Sequence, residues 1–87
     1  MPGQSSKYRD MLNTAKQRYR QQLQNIYSDT DHGEPGMNGE AAQWGAWYQI
    51  PGENHYLGVG QGSTVAGAME SAARAACTEL MKRGYQL

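Results

Sequence analysis

The spacing of apolar positions changes twice along the chain. From Lys7 they recur as Tyr8, Leu12, Ala15, Tyr19, Leu23 and Ile26. At 100° per residue these fall in a narrow arc that no Gly or Pro interrupts, which predicts an amphipathic helix after a flexible lead of residues 1–6. Ser5 or Ser6 would be its N-cap. Asn25 to His32 reads as the last helical turn followed by a short strand carrying Tyr27. Gly33 to Gln43, with three glycines and Pro35, reads as a loop. From Trp44 to Ile50 the period is two, with Trp44, Ala46, Tyr48 and Ile50 on one face and Gly45, Trp47 and Gln49 on the other. Pro51-Gly52-Glu53-Asn54 is a turn by residue chemistry, and His55 to Gly62 is the return strand. Ser63 or Thr64 then caps a helix from Val65 to Arg83, which Gly84 stops.

Two runs in this pattern fit each other. Gly58, Gly60 and Gly62 leave one face of the return strand without side chains, while Ala68, Ala72 and Ala76 recur at i, i+4 and i+8 on the following helix. Strand and helix can therefore approach closely. With the glycines facing the helices, Leu57, Val59 and Gln61 face outward beside Trp47. An outer face bearing Trp47, Leu57 and Val59 is an apolar protein-interaction patch, expected to find a second copy or another partner. A one-residue slip in register would exchange the two faces.

At 87 residues the chain is one small domain, residues 7–87 after the lead,. Its eight aromatics are all Tyr or Trp, so much of its apolar area carries a polar tip. Lys+Arg and Asp+Glu balance at 8 and 8, which is not the footprint of a strong nucleic-acid binder. The charge is segregated: residues 1–26 carry five basic side chains and one acid, and residues 27–60 carry five acids and no Lys or Arg. Arg9, Asn13, Lys16 and Arg20 form a stripe on the first helix, either a solvated face or an anion contact. The single Cys77 points to a reduced, cytoplasmic or nuclear setting. No apolar run approaches membrane-spanning length, so no membrane partner is expected.

In element order and in the set Trp44, Leu57-Gly58-x-Gly60-x-Gly62-x-Thr64, Ala68, Ala72-Ala73 and Leu80, the chain resembles the double-stranded-RNA-binding domain family. The resemblance covers Tyr8 to Leu80. It implies an α+β fold, α-β-β-β-α, with a three-stranded antiparallel sheet and two helices packed on one face, and a first helix that stops near Arg20. The family binds A-form duplex by shape, through the first helix, the first strand-strand loop and a lysine-bearing start of the last helix. The matching positions here are Arg9, Asn13, Lys16 and Arg20, then Asn38, then Ser63 and Thr64. At the lysine positions stand Val65, Ala66 and Met69. The loop reads Gly33-Glu34-Pro35-Gly36, acidic and without the family's His. Weak or lost affinity for double-stranded RNA is the expectation, with full RNA binding as the alternative.

No catalytic constellation is visible, and neither an enzyme activity, a small-molecule substrate, a cofactor nor a metal is expected. Gly58-x-Gly60-x-Gly62 has the wrong spacing for a dinucleotide turn. Asp29-x-Asp31 with Glu40 has Gly33 where a Ca²⁺ loop needs an oxygen ligand. His32 and His55 are isolated, and Cys77 reads as an inert buried thiol.

Overall fold

The computed structural model describes residues 6–32 and 43–87. The lead up to Ser5 and the loop 33–42, Asn38 among them, lie outside the described residues. The elements are α1 (Lys7–Arg18), α2 (Arg20–Leu23), β1 (Tyr27–His32), β2 (Trp44–Gln49), β3 (Gly58–Gly62) and α3 (Val65–Lys82). The strands form one antiparallel sheet in the order β1-β2-β3. The long helices α1 and α3 share one core on one side of it, giving the expected α+β, α-β-β-β-α layout.

The core is built where glycine meets alanine. A Cβ at Gly58 would collide with the backbone of Ala76, and one at Gly60 with the backbone of Ala72 and Ser71. At Gly62 it would stand 2.7 Å from the Ala68 nitrogen. The register is therefore the one that turns the glycines inward, and Ala46 and Tyr48 of β2 are buried on the same face. Ala68, Ala72 and Ala76 are wholly buried. Leu12 and Ala15 of α1, Leu23 of α2, Ile26 and Leu80 complete the core. β1 contributes little, since five of its six residues are exposed.

The first helix meets both expectations in part. It breaks at Tyr19 (φ −115°, ψ 54°) and resumes as the single turn α2, so Leu23 and Ile26 stay buried although the helix is not continuous. Ser6 stands at the N-cap without capping, and its hydroxyl donates to Asp10 instead. At the other end α3 closes as expected on Gly84 (φ +96°). Gly84 N–H donates to the Met81 carbonyl and Tyr85 N–H to the Leu80 carbonyl, the paired bonds that a glycine in the left-handed region permits.

Candidate interaction surfaces

On the outer sheet face, Trp47 lies opposite Val59 on one side and Asp29 on the other. Tyr56 stacks on Trp47 with ring centroids 5.5 Å apart. Val59 and Tyr56 are each 53% exposed and Tyr27 50%, so the face carries apolar and aromatic area in water. Leu57 is a correction to the expected patch: it is only 3% exposed and belongs to the core. The regular strand starts at Gly58, one residue later, so alternation cannot be extended back to Leu57. A bend there turns its side chain inward, and its N–H donates to the Tyr48 carbonyl. Tyr56 takes the outer position that the sequence pattern gave to Leu57. The nearest signal for it was an aromatic just after the turn at Pro51–Asn54.

The candidate RNA-contact residues are dispersed. α1 and α3 run the same way, with Tyr8 and Arg9 beside Glu70 and Tyr19 against Tyr85 at 4.9 Å. Arg9 thus lies near the start of α3, where Ser63 and Thr64 are exposed. Arg20, eleven residues on, is ~16 Å further along the helix direction, toward the other end of α3. Asn13 is exposed and Lys16 half-buried between them. The Thr64 hydroxyl caps α3 by accepting the Gly67 N–H at 3.0 Å, and the Arg9 Nε donates to Glu70 at 3.2 Å.

Glu70 is the residue that sequence reading missed. Its carboxylate accepts Tyr8 N–H at 2.8 Å, Arg9 N–H at 3.2 Å and the Arg9 guanidinium. It therefore caps α1 from α3, satisfying two of the amides that a helix start leaves without partners. Beneath it, the buried Cys77 thiol donates to the Tyr8 carbonyl at 3.6 Å. A second ionic clamp ties the β2–β3 turn to the end of α3. Arg83 donates both terminal nitrogens to Glu53 at 2.9 and 3.0 Å and its Nε to Glu79 at 3.0 Å. The Arg83 guanidinium holds the Glu53 carboxyl below its usual range, but the pair is solvated and contributes little stability.

Burial pushes the Cys77 thiol up from 9.0, and the Glu70 charge pushes it the same way. Burial likewise raises Tyr48 from 10.0, against a smaller opposing pull from Arg9. Both groups keep protons in the fold that the unfolded chain would release. Their contribution is complete below about pH 9 and is lost as pH rises through the raised values. Melting temperature is accordingly expected to fall between pH 9 and 11, and a melt that stays flat across that range would contradict the burial of both groups.

Among the described residues no group of three His, Cys, Asp or Glu could hold a metal ion, and no helix is long and apolar enough to cross a membrane. His32 packs on Trp44 at 4.3 Å. No protein-family model, curated protein or solved structure matches the chain.

Proposed function

We propose that this chain is a non-catalytic module of the double-stranded-RNA-binding-domain type whose affinity for duplex RNA is weakened or lost, and which acts through protein contacts as a homodimer or by docking a partner. The observation that carries this reading is the first turn of α3. Val65 is 41% exposed there, and the positions that resemble the family's lysines hold Val65, Ala66 and Met69. Each phosphate neutralised contributes a salt slope of roughly 0.7–0.9, or on the order of 1 kcal/mol at physiological salt. Three absent lysines then weaken binding by about two orders of magnitude. The exposed Val59, Tyr56 and Tyr27, with the half-buried Trp47 between them, supply apolar contact area of the kind that protein interfaces bury.

The start of α3 favours the second reading, a working RNA binder, because helix-start N–H groups attract phosphate, although the Thr64 hydroxyl takes that of Gly67. Titrating a duplex RNA of about 20 base pairs at low and physiological salt, while following the protein's mass in solution, separates the two. Binding weaker than micromolar at physiological salt is expected. Micromolar binding that survives that salt would establish the RNA reading instead, and a strict monomer at high concentration would remove the homodimer.

A further inference from the structure

A groove of 440 Å³ runs between β3 and α3, lined by Leu57, Val59, Arg74, Ala75, Thr78 and Lys82. Three observations bear on what fits it. β3 is an outer strand, paired to β2 on one side only, so its other edge offers unpaired backbone groups that can template an added strand. The groove floor is apolar, formed by the buried Leu57 and by Ala75, with Val59 at its margin. On its rim stand the exposed cations Arg74 and Lys82, and among the described residues neither is in a salt bridge. Arg74 lies over the Tyr8 ring at 5.9 Å. Glu79, the acid that also lines the groove, is already held by Arg83.

The spacing of these cations selects an extended ligand. Arg74 and Lys82 are eight helical steps apart, ~12 Å along α3. Four residues of β-strand cover ~13 Å, and side chains i, i+2 and i+4 point to one face. We propose that this groove binds an extended acidic peptide of a partner protein, which adds to the free edge of β3 at its Gly58–Val59 end, where α3 runs antiparallel with Ala76 against Gly58. An acid at each of positions i and i+4 meets Arg74 and Lys82, and an aliphatic side chain at i+2 rests on Leu57 and Ala75. Strand addition supplies main-chain hydrogen bonds, and the alternate side chains supply specificity. The β1 edge of a second copy fits poorly. Its Asp29 and Asp31 are two residues apart, ~7 Å, too close to span the two cations.

This inference rests on the protein-contact reading above and names the partner's chemistry. The test uses the blocked peptide TEVLVET, the control TKVLVKT and the same acidic peptide N-methylated along one edge, each titrated into ¹⁵N-labelled protein. The acidic peptide is expected to bind with Kd on the order of 100 µM or tighter, shifting the amides of Leu57, Val59 and the Arg74–Lys82 stretch. Arg74→Glu with Lys82→Glu should weaken it at least about tenfold while the amide spectrum of the sheet shows the fold kept. The lysine and N-methylated peptides should not bind. Absence of binding at 1 mM (about −4 kcal/mol), equal binding of the lysine peptide, or indifference to the charge reversal would overturn the proposal. Shifts of the same amides on self-association without peptide would assign the groove to a second copy, and shifts on adding duplex RNA would assign it to nucleic acid. Failure of the peptide alone, with no RNA bound, leaves the outer-face protein contact standing, so the two readings fail separately.

Discussion

Replacing Gly60 with alanine is expected to lower the stability of the domain by about 3 kcal/mol or more, at or beyond the upper end of overpacking costs. The methyl group would have to occupy space held by the backbone of Ala72 and Ser71, and backbone cannot rotate out of the way as a side chain can. β3 and α3 would have to separate along the contact. A domain of this size has ~4–13 kcal/mol in total, so a large share of the folded population is at stake. Gly45→Ala is the matched control in the adjacent strand. A Cβ there meets nothing nearer than the Asp31 carbonyl at 3.8 Å, and the change should lie within about 0.5 kcal/mol of zero. Urea unfolding of both variants reads the difference. Equal destabilisation by the two would show that the strand and helix do not meet as described.

Glu70→Ala should cost about 2–3 kcal/mol, because it removes a charged acceptor from two backbone amides and from the Arg9 guanidinium together,. Hydrogen bonds to an ionised group are the stronger kind, and the carboxylate is only 15% exposed. Glu70→Gln keeps one oxygen acceptor and should lose about half as much. Arg9→Met, which removes the ion pair but leaves both amides capped, should lose about 1 kcal/mol or less. This ordering of Ala, Gln and Met in chemical denaturation is what an N-cap delivered from another helix requires. If Arg9→Met costs as much as Glu70→Ala, the ion pair rather than the cap is what holds α1.

The β3–α3 contact was legible in the sequence because its physics is local. Alternate glycines and an alanine every fourth residue each specify a bare face, and only one register lets bare faces meet. Leu57 was misplaced because period-two reasoning holds only inside the strand, and composition does not say where a strand begins. The break at Tyr19 was implied by the resemblance, which ends the first helix near Arg20, but hidden from periodicity because the buried positions keep their spacing through Leu23 and Ile26 while the backbone between them does not. Ser6 was a reasonable N-cap by residue type, yet the acceptor comes from Glu70, 62 positions from Tyr8. A capping rule written for neighbours in sequence cannot see an acceptor brought by tertiary packing. The same limit applies to Arg9, which periodicity places in a basic stripe and the fold places against an acid.

The contact between β3 and α3 is made by residues with no rotamers to lose. Gly58, Gly60, Gly62, Ala68, Ala72 and Ala76 give up no side-chain entropy on burial, although each glycine gives up more backbone freedom than any other residue. The attraction across such a seam is dispersion between close-packed backbones with little hydrocarbon removed from water. Unfolding this part of the molecule therefore exposes little apolar area per residue and adds little heat capacity, whose positive part scales with that area. The stability curve of a fold closed in this way is correspondingly flat: it loses less on cooling than an equally stable core of large aliphatic side chains.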